Sequence, residues 1–148
     1  MRAPTTKHKG EIDIESFSWG VSNSGSATHG GGGGAGKASF QDFTFTAPTS
    51  KASPTLALMC AAGTHIPEGT LTGLRSGEQP VEFMKIKLTD ILISSFQQAG
   101  SATSDALPVD QFSFNFAKIE YQYRSQNRDG STAVSGAMGW DLKKNVKL

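Results

Sequence analysis

The stretch Gly31-Gly-Gly-Gly-Ala-Gly36-Lys37-Ala38 comes within one position of a phosphate-binding loop. In such a loop a hydroxyl follows the lysine and holds magnesium, and the next segment is a helix whose N-terminus aims N–H groups at the anion. Here Ala38 takes the hydroxyl's place, Ser39 comes one residue late, and the following residues alternate like a strand. The stretch reads as loop, not as a nucleotide site. His8, His29 and His65 fall in three different polar segments, and Cys60 lies five residues before His65. Two ligands do not fill a tetrahedral zinc site. Cys60, the only cysteine, stands in an apolar helix-like run and reads as buried filler, with no base beside it to raise a thiolate.

Serine is abundant, but no G-x-S-x-G elbow is present. Asp13 and Glu15 alternate with Ile12 and Ile14, so the carboxylates read as facing solvent or a subunit contact. Phe112, Phe114 and Phe116 are spaced by Ser113 and Asn115 rather than by basic residues, so they read as core and not as a platform for bases. Trp19 and Trp140 read as core or subunit interface, and Lys143, Lys144 and Lys147 as a solvated terminus or a contact to an acidic neighbour. The residues single out no catalytic, cofactor-binding or metal-binding set. The expectation is a protein that is not an enzyme and needs no cofactor.

The elements that would carry any site point to a mainly β chain. Its 148 residues fit one domain, 1–148, able to bury roughly 68% of the surface of its unfolded chain without a staple. Lys+Arg number 14 against 13 Asp+Glu, which leaves no basic excess to draw a nucleic acid. Charged residues are 18% of the chain, below the usual quarter, so copies repel one another weakly. No apolar run approaches the roughly 20 residues of a membrane helix, and no apolar leader follows Met1.

Residues 1–9 read as a flexible arm. Glu11 to Gly20 reads as a strand, 20–37 as a mobile loop rich in Gly and Ser, and Ala38 to Thr46 as a second strand. Residues 50–62 carry the one helix signal, with Ser53 as N-cap, Pro54 at the first turn and Gly63 as terminator. Thr70 to Leu74, Val81 to Phe96, Val109 to Ser125 and a segment around Val134, Met138 and Trp140 read as further strands. The two longest change their apolar side midway, the first near Asp90. Bending across a barrel corner explains this, as does cover on both faces. The expected architecture is two antiparallel or mixed sheets closing into a small β-barrel, with one short flanking α-helix.

Several stretches together resemble a known family. They are Lys9-Gly-Glu-Ile-Asp-Ile-Glu-Ser-Phe-Ser-Trp-Gly-Val-Ser-Asn23, the glycine run to Lys37 with Phe40-Gln-Asp-Phe43, Lys51-Ala-Ser-Pro54, Leu88-Thr-Asp-Ile-Leu-Ile-Ser-Ser-Phe96 and Gly139-Trp-Asp-Leu-Lys-Lys-Asn145. In order and spacing the chain is similar to the haemolysin-coregulated (Hcp) tube proteins of type VI secretion. The resemblance implies a homo-hexameric ring that stacks into an inner tube. It implies a contractile sheath, a VgrG-like spike and small effector proteins as partners. It also implies a cytoplasmic protein that is secreted through the apparatus without a signal peptide, with no nucleic acid and no membrane anchor. No catalytic residue is carried over from such a family. The alternative reading is a small-ligand or peptide-binding β-barrel carrier, which would need unfilled volume inside one subunit.

Overall fold

The computed structural model of the chain describes residues 10–25, 36–76, 80–103 and 105–148. The elements in chain order are β1 (Ser16–Ser18), β2 (Val21–Asn23), β3 (Ala38–Phe40), β4 (Phe43–Pro48), α1 (Ser53–Ala62), β5 (His65–Arg75), β6 (Val81–Ala99), β7 (Val109–Asn115), β8 (Lys118–Gln126), β9 (Thr132–Asp141) and β10 (Val146–Lys147). Eight strands form one sheet in the order β1-β4-β7-β6-β8-β9-β10, with β5 also on β6, and β2 and β3 form a separate pair.

Two bent ribbons organise these strands. The first is β6 against β7 and β8. Leu92 faces Asn115 and Thr89 faces Lys118, with two residues intervening on each side. Ala117 N donates to Thr89 O at 3.0 Å inside that gap. β7 and β8 are therefore one long partner of β6, broken only at a corner. Asp90 makes the corner with a φ of 58°, a left-handed value that Asp tolerates better than most side chains. Before it Met84, Ile86 and Leu88 are buried; after it Ile91 and Ile93 are. The single αL residue thus moves the apolar side from even to odd positions. On the partner, Phe112 and Phe116 give way to Ile119 in the same manner. Pro67, which has no N–H to donate, falls across from Asp90, between the pairs Ile66–Ile91 and Glu68–Thr89.

The second ribbon is β1–β2 against β4–β3. Phe17 pairs with Phe45 in one sheet and Ser22 with Ser39 in the other, and Gln41 N donates to Gly20 O at 2.9 Å between them. The chain read as one strand from Ala38 to Thr46 is thus two strands parted at Gln41 and Asp42. Likewise Val21–Asn23, assigned to a loop over 20–37, is β2. The arm 1–9 and the glycine run 30–34 lie outside the described residues.

The core runs along the inner bend. Phe43, Ile86, Ile91, Ile93, Phe112 and Ile119 are each at most 2% exposed, and burying such a side chain contributes roughly 1.5–3 kcal/mol. Phe43 stacks on Phe45 with ring centroids 5.0 Å apart, and Phe45 on Phe112 at 5.2 Å. α1 lies against this body through Leu56, Met59 and Cys60. Gly63 ends it at φ 65°, its N–H on Cys60 O. Ser53 is inside the helix and Ala52 is the cap. The Ser53 hydroxyl is instead committed elsewhere, accepting from Ser50 N at 2.9 Å and donating to Asp110.

The chain is mainly β with one short helix, but the expected closed barrel is not formed. The large sheet is an open half-barrel whose edges stand 21 Å apart, against the ~4.8 Å that strand pairing requires. Only short strands stand at the two ends of the strand order. β1 has three residues and β10 two, so neither offers a ladder long enough to hold the other edge.

Candidate functional site at the open face of the half-barrel

An open half-barrel leaves part of its inner face uncovered. Going along β8, Ile119 is fully buried, Tyr121 is half-buried and Tyr123 is 39% exposed. Their cross-strand partners on β9 follow the same gradient: Trp140 is half-buried and Met138 is 40% exposed. Among the described residues, six of the eleven exposed large apolar side chains, namely Val21, Tyr123, Val134, Met138, Val146 and Leu148, belong to β2 or to the β8–β10 end. A shallow groove of about 290 Å³ runs between the β2–β3 pair and β9, with Val21 and Phe40 on one wall and Met138 and Trp140 on the other. Apolar side chains clustered in this way mark a surface that another molecule covers.

The β9 strand adds a second feature. β8 pairs with one edge along its length, but β10 reaches the other edge only at Trp140 and Asp141. Among the described residues no strand pairs with the outer edge from Thr132 to Met138. The sequence there, Thr-Ala-Val-Ser-Gly-Ala-Met, carries no charge and no proline. Edge strands of solitary proteins are normally blunted by such residues, because bare N–H and C=O groups template pairing with another strand.

The outer wall is of the ordinary solvated kind. Lys87 Nζ lies between Glu68 Oε2 at 3.4 Å and Glu120 Oε2 at 3.8 Å, all three side chains about half-exposed. Such pairs contribute about 0–1 kcal/mol. One buried carboxylate is held more firmly. Asp110 is 2% exposed; burial pushes its carboxyl up, but donors from Ser53, Gln98 and Thr49 outweigh this and hold it below the usual range. Asp90, at the corner, is held low by hydrogen bonds from His65 and then Lys143.

The residues weighed for chemistry are scattered. His8 and His29 lie outside the described residues. His65 faces Asp90 with its Nδ1 3.0 Å from Oδ1. Cys60 is on α1, half-buried beside the core. Lys37 precedes β3, a strand rather than a helix. Asp13 and Glu15 are exposed. Trp19 stacks on Phe43 at 5.9 Å, and Trp140 lines the groove. Among the described residues no group of three or more His, Cys, Asp and Glu is placed to hold a metal ion. The open edge of β9 was missed from the sequence, although its charge-free run from Ser131 to Gly139 is the signal that marks it.

Comparison with known proteins follows the same line. The sequence model of the family described as "Type VI secretion system effector, Hcp" matches residues 3–123. Protein hcp1 of Pseudomonas aeruginosa is 39% identical over 113 residues, covering 75% of this chain and 69% of that protein. A solved structure described as a type six secretion system protein superposes with a TM-score of 0.89 at 26% identity, over 99% of this chain and 91% of the other. Hcp1 from Salmonella typhimurium gives a TM-score of 0.75 at 27% identity, over 99% and 91% of the two chains. The chain belongs to the Hcp family of the type VI secretion system.

Proposed function

We propose that this chain is the inner-tube subunit of a type VI apparatus. As a single domain spanning 1–148 it closes with five copies into a hexameric ring, and rings stack into a tube. A contractile sheath around the tube drives it outward behind a VgrG-like spike. Small effector proteins travel in the channel. The protein resides in the cytoplasm until firing and leaves through the apparatus. Its work is mechanical rather than catalytic.

The observation that carries this reading is the open inner face. Val21, Tyr123 and Met138 stand exposed beside the Thr132 to Met138 stretch of β9, whose outer edge has no partner strand among the described residues and carries no guarding charge. A neighbouring copy satisfies both needs at once. It supplies apolar cover and a complementary strand, and a contact between two different faces closes into a ring when its rotation allows. The carrier-barrel reading requires vacant interior volume. The stacked rings of Phe43, Phe45 and Phe112 occupy that space. Negative-stain microscopy and small-angle scattering test the proposal. Particles of six copies around a central hole are expected; a monomer at high concentration across several salt conditions refutes it.

A further inference from the structure

The β2–β3 pair is tied to the large sheet in a particular way. It is the outer end of the second bent ribbon, which turns at Trp19-Gly20 and Gln41-Asp42. Beyond this turn, two contacts among the described residues tie it to the large sheet. The Phe40 ring meets the Phe116 ring edge-on at 6.1 Å. Ala38 N donates to Asn145 Oδ1 at 3.1 Å. Asn145 lies in the turn between β9 and β10 with a φ of 55°, and it and Asp90 are the only non-glycine residues of positive φ among those described.

These two unusual residues are connected. Lys143, two positions before Asn145, places Nζ 3.3 Å from Asp90 Oδ2, while His65 takes the other oxygen of the same carboxylate. The turn itself is fastened at its base. Leu142 N donates to Ala117 O at 2.8 Å, and Lys144 N to Asp141 Oδ1 at 2.9 Å. Ala117 sits opposite Asp90 at the corner of the first ribbon. A continuous chain of polar contacts therefore runs from His65 on β5, through the Asp90 corner and the Lys143–Asn145 turn, to Ala38 on β3.

We propose that Asp90, Lys143 and Asn145 form a clasp that holds the β2–β3 pair as a hinged flap over the groove at Met138 and Trp140. The hinge is at Gly20 and Gln41. When the clasp is fastened, Asn145 keeps the Ala38 N–H and fixes the width of the groove. When the Asp90–Lys143 pair is broken, the turn gains freedom and the flap swings about its hinge while the large sheet stays intact. The ion pair is exposed, with Lys143 75% and Asp90 40% accessible, so the clasp is a weak one that salt loosens.

Hydrogen–deuterium exchange read by mass spectrometry on the full-length protein tests the clasp. Asp90→Asn removes the charge but keeps a residue that accepts a left-handed backbone, and Lys143→Met removes the partner from an exposed turn. Both are expected to speed exchange in peptides covering residues 36–43 by about two- to five-fold, the range that exposed ion pairs support. Peptides around Ile119 are expected to keep their native rate. In the unmodified protein, raising salt from ~0.01 M to ~1 M, where screening shortens from ~30 Å to ~3 Å, speeds the same peptides; in Asp90→Asn it does not. Asn145→Ala reproduces the effect without salt dependence. The proposal is overturned if Asn145→Ala alone speeds the flap while both charge variants leave it at the native rate. It is equally overturned if the charge variants speed all peptides alike.

Discussion

Replacing Asp110 by alanine is expected to destabilise the fold by about 3 kcal/mol and to erase part of its sensitivity to acid. The carboxylate sits at the start of β7, where the N-terminus of α1 meets the sheet. It accepts from the Ser53 hydroxyl, from Thr49 Oγ1 at 2.8 Å and from Gln98 Nε2 at 3.0 Å. A hydrogen bond to a charged group contributes about 1.5–3 kcal/mol, so simple addition would overshoot. Gln98 Nε2 also donates to Thr49 Oγ1 at 3.2 Å, which lets the donors serve one another once the carboxylate is gone, and contacts within one network are not additive. About 3 kcal/mol remains. For a domain of this size each kcal/mol moves the thermal midpoint by roughly 2–4 °C, so a fall of about 6–12 °C is expected. The carboxyl is held below its ordinary range in the folded chain. Its contribution is therefore complete above the unfolded-state value near ~3.9 and fades as pH falls through the lower folded value. Urea titration at a fixed protein concentration, repeated from neutral pH down to about 3, reads both effects; the fixed concentration keeps the proposed assembly from shifting the midpoint between runs. A loss under about 1 kcal/mol at neutral pH, or an acid slope in Asp110→Ala as steep as in the unmodified protein, refutes the reasoning.

Three further substitutions address the core, the helix end and the open face. Ile119→Ala empties space beside Leu88 and Trp140 and is expected to cost about 2–5 kcal/mol by urea unfolding. Gly63→Ala forces a side chain onto a φ of 65° with nothing in its way, so the only cost is added backbone strain of about 1 kcal/mol; a neutral result there would show that α1 ends differently in solution. Met138→Lys puts a charge on the uncovered patch and is expected to convert the proposed rings to monomers in size-exclusion chromatography while the far-ultraviolet circular dichroism stays unchanged.

Much of the architecture was legible because the apolar pattern follows the backbone closely. Met84-Lys-Ile-Lys-Leu88 alternates, then Asp90 interrupts and Ile91 and Ile93 resume on the other parity, and the chain bends at that residue. Phe116 and Ile119 mark the matching corner on the partner. The helix was found from Pro54 and Gly63, yet its cap was misplaced, because Ser53 serves a carboxylate 57 positions away that local sequence does not reveal. β5 was read as beginning at Thr70. His65, Pro67 and Gly69 look like turn residues, and they pass for strand only because Pro67 meets the Asp90 corner, where no ladder hydrogen bond is needed. Openness of the sheet was illegible for a different reason. Alternation says which side chains face inward; it does not say whether the last strand reaches the first. That depends on how short β1 and β10 are, and three-residue and two-residue strands leave almost no periodic trace.

The continuous partnership of β6 with β7 and β8 also sets an order in time. These strands are joined by a short connection, so their pairing requires closing only one small loop, as the β5–β6 and β8–β9 pairings do. β4 has no such luck: it docks on β7, which follows it by some sixty residues. During synthesis the phenylalanines at 43 and 45 thus leave the ribosome well before Phe112 and Phe114 exist to receive them. The N-terminal third of a nascent chain, paired only within its own β1–β4 ribbon, waits with one edge of β4 bare for its template, and that interval is where a chaperone has most to do.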